Sequence, residues 1–374
     1  MELKLLNLLK ENIEKYPAMQ LQDCIKLLYQ RILGSEHMAM SYGRCYDLLK
    51  AEKEKVGTDV SFIRYEELGD NLCRFNLLSL PDDKASLHTL TNLFLQSIKT
   101  LSDNISNKKI RFEEALTFLL KSVKEGLLPF DFAETEAFLK KYIENGCPPV
   151  HHSQIYRDTY HPAYRLIRTD FARYFSLFEA IDKLIREKEH VIIAIDGKCG
   201  SGKSTLANIL SEVYSSNIIH MDDFYLPFNL RTKERLDEPG GNIHYERFAS
   251  QILPALFSLK QNTPGNVCGF TDHTYQIFNC HTMDYKEKNG TIADRPLTII
   301  EGSYSLRPEF IRAYDLKVFL DVSIKEQKER LLARNGEEAF KNFEMKWIPM
   351  ELKYFNEYDV KNCCDLTYQN DILK

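Results

Sequence analysis

His190–Leu210 reads HVIIAIDGKCGSGKSTLANIL. Val191–Ile195 is an unbroken apolar run rich in β-branched side chains, the pattern of a strand covered on both faces. Gly197 follows, then four residues, then Gly202-Lys203-Ser204. Beyond them Leu206, Ile209, Leu210 and Val213 fall on one face of a helix. A strand, a glycine-rich loop and a helix in this order predict an α/β unit whose loop meets a phosphate.

The spacing is GxxxxGK[ST], the Walker A pattern. Its glycines let successive backbone N–H groups turn inward, and the helix start adds its positive dipole end. Gly197, Lys198, Cys199, Gly200, Ser201, Gly202, Lys203, Ser204 and Thr205 are therefore the candidate nucleotide-binding residues. Lys203 is expected to reach the β- and γ-phosphates, and Ser204 to offer its hydroxyl to Mg2+. The Cys199 side chain is incidental here, because the loop works through its backbone. ATP and Mg2+ are the expected cofactors.

Working outward, NIIHM, LTIIEG and LKVFLDV repeat the short β-branched pattern and alternate with helical segments. That is the grammar of a parallel sheet flanked by helices. The first half differs. In ASLHTLTNLFLQSIKTL the residues Leu87, Leu90, Leu93, Phe94, Ile98 and Leu101 recur at steps of three and four. FEEALTFLLKSV and AETEAFLKKYIENG are similar, and a further helix is expected over about Ala163–Lys188. The reading is a mainly α-helical domain over 1–185 and a P-loop domain over 186–374. A chain of 374 residues suits two cores.

A net charge of −5 argues against a general nucleic-acid surface. No run approaches the roughly 20 apolar residues of a membrane helix. The amphipathic start MELKLLNLLKENIEKY has no signal-peptide character. Nine cysteines with no metal-type CxxC pair point to a reducing, cytoplasmic setting. The scattered histidines His37, His151, His152 and His161 form no metal motif.

A triphosphate-binding loop serves kinases, ATPases, GTPases and switches alike. HMDDFYLP narrows the choice. Asp222 and Asp223 end the next strand, where ligands gather in open α/β sheets. A carboxylate there can take the proton of an attacking hydroxyl, and Asp222 is the candidate base. Ser323-Ile324-Lys325-Glu326 fits a capping box. On the helix it opens, Arg330 and Arg334 stand one turn apart, suited to the charge of a transferring phosphoryl group. Asn335-Gly336 reads as a stop or hinge. Trp347, in the aromatic and methionine-rich FEMKWIPMELKYF, reads as core packing.

The Walker A loop followed by DDFY resembles the uridine kinase and phosphoribulokinase family of P-loop kinases. The likeness runs in order from about residue 189 to 370. It places Asp222 in the base position, with Asp223 and Tyr225 beside it on the substrate side. LDEPGGNIHYERF resembles the segment whose aspartate holds ribose hydroxyls, which implies that role for Asp237. TYQIFNC resembles the stretch with a tyrosine and a histidine against the base, matched by Tyr275 and by Cys280 or His281. LTIIEGSYSL resembles the strand end whose glutamate, here Glu301, sits near Mg2+ with Ser204 and Asp222. DLKVFLDVSIKEQKERLLARN resembles the strand and lid helix whose arginines hold phosphates.

The resemblance implies a phosphotransferase acting on the hydroxyl of a small molecule, a nucleoside or a sugar-like compound. The HPD element of the family reads EPG here, a departure that weakens the case for a pyrimidine nucleoside as the acceptor and leaves phosphoryl transfer intact. The alternative is a nucleotide-dependent regulatory protein with the helical half as output. For that half three roles stand open: a homo-oligomer surface, an effector site, or presentation of substrate.

Overall fold

The computed structural model describes residues 2–35, 38, 40–59, 61–101, 105–261, 271–279 and 282–371. The chain divides into two compact units, Met1–Glu179 and Ala180–Lys374, and the division falls inside one helix. Among the described residues no helix is long and apolar enough to cross a membrane.

The first unit carries helices α1 (Glu2–Lys15), α2 (Leu21–Leu33), α3 (Tyr42–Val56), α4 (Lys84–Leu101), α5 (Ile105–Lys124), α6 (Phe132–Glu144), α7 (Gln154–Tyr160) and α8 (Thr169–Arg173). The residues at steps of three and four do point inward: Leu90, Leu93 and Phe94 of α4 and Leu116 and Leu119 of α5 are buried. Unforeseen is an antiparallel sheet of β1 (Tyr65–Gly69), β2 (Leu72–Asn76) and β3 (Tyr164–Arg168). The helix expected from Ala163 is thus corrected: a strand comes first, then α8, then α9 (Phe175–Glu187). The strand forms because Tyr164–Arg168 pairs residue for residue with Asn76–Leu72. A buried polar network ties this sheet to α2. Asp23 accepts from Ser153 Oγ at 2.6 Å and from His152 Nδ1 at 2.8 Å, and Tyr164 OH lies 2.6 Å from His152 Nε2.

The second unit is a five-stranded, all-parallel sheet in the order β12-β11-β4-β10-β5. Its strands are β4 (Val191–Gly197), β5 (Ser216–His220), β10 (Leu297–Glu301), β11 (Leu316–Asp321) and β12 (Leu366–Gln369). Short β6 (His273–Tyr275), β7 (Phe278–Asn279), β8 (Asp284–Tyr285) and β9 (Gly290–Ile292) pair apart from it as two small ribbons. Helices α10 (Lys203–Val213), α11 (Lys233–Asp237), α12 (Tyr245–Gln251), α13 (Leu253–Gln261), α14 (Ile324–Asn342) and α15 (Ile348–Glu357) complete the unit. Every residue of β4 and β10 is buried, as the unbroken apolar runs required. The unit is an α/β fold of P-loop type, with the glycine loop leaving the central strand.

Candidate active site

β4 lies between β10 and β11, so its loop opens at the middle of the sheet's C-terminal edge. Gly197 ends the strand at φ 143°, and a Cβ there would stand 2.1 Å from the Leu320 carbonyl oxygen. Only glycine allows so close an approach to β11. Helix α10 then starts at Lys203, aiming its N-terminus into the loop. Lys203 Nζ donates to the carbonyls of Gly197 at 2.8 Å and Lys198 at 2.9 Å, which holds the ammonium over the loop. Lys198 faces another way. It pairs with Asp321 Oδ1 at 2.7 Å and donates to the Val322 carbonyl, fastening the loop to the end of β11.

A cavity of about 670 Å³ opens here. Of the nucleotide-loop candidates, Cys199, Gly200, Gly202, Lys203, Ser204 and Thr205 line it, whereas Gly197, Lys198 and Ser201 do not.

Sheet register brings the acidic residues in. Glu301, last in β10, is paired across with Ile195 of β4 on one side and His220 of β5 on the other. Ser204 Oγ donates to Glu301 Oε1 at 2.9 Å, and His220 Nδ1 lies 2.5 Å from the same oxygen. That hydrogen bond raises the His220 pKa above its ordinary value, against the opposing effect of burial. Asp222, two residues past β5, opens onto the same cavity and is solvent-exposed, with Glu301, Lys203 and His220 near enough to act on its charge. Partial loss of surrounding water lifts its pKa, and the like charge of Glu301 adds to this. Lys203 and His220 pull the other way. Ser204, Glu301 and Asp222 line the same cavity and offer only oxygen donors, the kind Mg2+ takes, although no group of three or more His, Cys, Asp or Glu among the described residues is placed to hold a metal ion by itself.

The substrate-side candidates separate. Tyr225 lines the cavity. Asp223 is buried and bonded to the Tyr275 hydroxyl, while its carbonyl accepts from Arg247. Tyr275 stacks on Phe224 with ring centres 5.6 Å apart, and neither Asp223 nor Tyr275 lines the cavity. Asp237 ends the short α11, exposed and away from the cavity wall, with its carbonyl accepting from Lys353. Cys280 and His281 lie outside the described residues.

The two arginines of α14 also part company. Ser323 caps α14 by accepting from Glu326 N, but the box is not closed: Ser323 N donates to Asp371 Oδ1 and the Glu326 carboxylate goes to Arg330. Arg334 lines the cavity beside Asn335. Arg330 instead bonds Glu326 Oε1 at 2.9 Å, the Gly200 carbonyl at 3.1 Å and the Asn370 carbonyl at 2.6 Å. It braces the back of the loop. Gly336 breaks the helix at φ 79°, ψ 170°.

Several cavity residues were not among the candidates: Arg231, Met283, Ser303, Tyr304, Phe343 and Glu351. The expectation of Trp347 as core packing is corrected. It is half-exposed on the cavity wall, edge-on to Tyr225 with ring centres 6.0 Å apart. The reason is a turn of π-helix over Phe343–Trp347, which carries the tryptophan out of the apolar stripe continued by α15.

Behind the loop, buried Asp196 accepts from Gly197 N at 2.7 Å, Leu306 N at 3.0 Å and Tyr354 OH at 2.8 Å. Burial pushes its pKa up to about 6, although these donors and Lys203 favour the charged form.

No protein-family model and no curated protein matches the chain. Among solved structures it is similar to a possible uridine kinase from Bacillus stearothermophilus, at 20% identity and TM-score 0.37, covering 52% of this chain and 100% of that one. It is also similar to a provisionally assigned fructose transport system kinase from Silicibacter sp. TM1040, at 19% identity and TM-score 0.37, covering 48% and 90%. The functional reading rests on the residues of the site.

Proposed function

We propose that the protein is an ATP-dependent kinase that phosphorylates a hydroxyl of a small molecule, with a nucleoside or sugar-like acceptor. One observation carries this reading: a phosphate loop, an oxygen pair for Mg2+ and a separate carboxylate, Asp222, share a single cavity. A nucleotide sensor has no need of the last.

In this reading the loop N–H groups and Lys203 hold the triphosphate. Ser204 and Glu301 would hold the metal, and Asp222 opens on the same cavity. Mg2+ supplies charge neutralisation on the phosphates. Asp222 accepts the proton of the acceptor hydroxyl, for which its raised pKa makes it a stronger base than an ordinary aspartate. Arg334 faces the charge on the transferred group. Tyr225, Phe343 and Trp347 give the acceptor an aromatic wall.

The test is ADP release from ATP and Mg2+ with a panel of nucleosides, sugars and vitamins. Acceptor-dependent turnover with at least one compound is expected. Nucleotide binding with no acceptor-dependent turnover across the panel would favour the regulatory reading.

A further inference from the structure

Glu351 places a carboxylate on the phosphate loop. Its Oε2 accepts the Cys199 N–H at 2.9 Å, and its Oε1 accepts Ser303 Oγ at 2.6 Å. Ser303 Oγ also lies 3.0 Å from the Gly197 carbonyl, so the glutamate joins the loop to the segment after β10. Glu351 is only 5% exposed and lines the cavity that the triphosphate would enter. A side chain of this kind takes up a loop N–H that phosphate oxygens compete for, and it presents like charge to them.

The surroundings determine where a displaced Glu351 would act. Three residues on, Tyr354 is fully buried and bonded to Asp196, which fixes the C-terminal half of α15. Four residues back is Trp347, and eight back is Phe343, both on the cavity wall. The path between them is the π-turn, and Gly336 marks a second break in the backbone farther back. Strain at Glu351 therefore has a firm side and a soft side, and the soft side bears the aromatic wall.

We infer that Glu351 is a positioning residue that couples the phosphate loop to the acceptor wall. Phosphate at the loop displaces its carboxylate from the Cys199 N–H, and the shift is passed back one turn to Trp347 and about two turns to Phe343. Nucleotide then binds first, and the acceptor meets a wall set by the bound phosphates. This rests on the reading of the loop as a phosphate site.

The chain has a single tryptophan, so its fluorescence reports on Trp347 alone. Magnesium pyrophosphate is the probe, because it has phosphates but no base to touch the indole. Binding is measured by calorimetry and emission is followed in parallel. In the wild type, emission should change with the calorimetric midpoint. Glu351→Gln keeps the shape and removes the charge. It should bind pyrophosphate roughly 5-fold or more tightly and lose most of the emission change. Ser303→Ala, which frees one carboxylate oxygen, should move affinity the same way by less. Unchanged affinity in Glu351→Gln, or an intact emission change, overturns the coupling. If folded wild type and variant both fail to bind pyrophosphate and AMP-PNP, the phosphate-site reading falls, and the coupling with it. Binding by both with identical affinity and emission sinks the coupling alone.

Discussion

Ser204 Oγ donates to Glu301 Oε1 across 2.9 Å, although the two residues lie ninety-seven positions apart. The contact follows from strand order. β10 sits beside β4, and its last residue meets the first turn of α10. The pair is the oxygen set that Mg2+ would use. Glu301→Gln should raise the Mg2+ concentration for half-maximal turnover by roughly 10- to 100-fold. Ser204→Ala should act in the same direction. Turnover is titrated with Mg2+ at fixed ATP. An unchanged metal requirement in both variants would remove the pair from the metal site.

Asp222 opens on the cavity that the loop lines and feels the charge of Lys203, yet among the described residues it forms no hydrogen bond or ion pair with the loop. Its loss should therefore spare nucleotide binding. Asp222→Asn should lower kcat by roughly 10²- to 10⁴-fold, the usual contribution of a general base. The dissociation constant for AMP-PNP should stay within about threefold, since no phosphate donor is removed. Loss of both together would mark Asp222 as a nucleotide ligand and not a base.

These residues were legible because each is the end of a contiguous signal. VIIAI, NIIHM and LTIIEG announce strands, and the chemistry sits where each strand stops. Parallel pairing then brings the ends together. Long-range pairing hides the rest. YRLIR has arginines at both edges of its apolar pair, so its strand character appears only against LCRFN, some ninety residues earlier. Arg165 is tolerated there because Glu52 pairs with it at 2.6 Å. Glu351 was hidden for another reason. It lies on the apolar face of α15 with Trp347 four residues before and Tyr354 three after. A charge on a buried face was the available signal, but it names no partner. One partner is a backbone N–H, which leaves no mark in the sequence, and the other is the Ser303 hydroxyl, forty-eight positions away.

Arg330 and Arg334 are one helical turn apart and should fail in different ways. Arg334 faces the cavity, so Arg334→Ala should cost roughly 10²- to 10³-fold in kcat with little change in stability. Arg330 ties α14 to the Gly200 and Asn370 carbonyls. Arg330→Ala leaves those acceptors without their charged donor, and should lower stability by about 1–3 kcal/mol. Denaturation midpoints and kcat, measured on both variants, separate the two roles. A reversed pattern would return Arg330 to the chemistry.

The helical unit carries its own titration. His152 is buried between Asp23 and Tyr164, and burial lowers its pKa from 6.5 to about 4, against the favourable hydrogen bond to Asp23. The neutral ring fits its partners, donating through Nδ1 to the carboxylate and accepting the tyrosine hydroxyl at Nε2. An unfolded chain protonates this histidine near 6.5, whereas the folded one resists until about 4. Between those values the unfolded state binds more protons, so stability falls as pH falls. The contribution lost by pH 4 is on the order of 3 kcal/mol. Asp196 in the other unit runs oppositely. Its raised pKa makes the folded state the better proton binder between the usual aspartate value and about 6, so acid favours it there. His152→Asn cannot titrate. It should cost stability at pH 7 but flatten the decline between pH 6.5 and 4, read as urea midpoints by far-UV circular dichroism. A decline as steep as that of the wild type would assign the acid sensitivity to other groups.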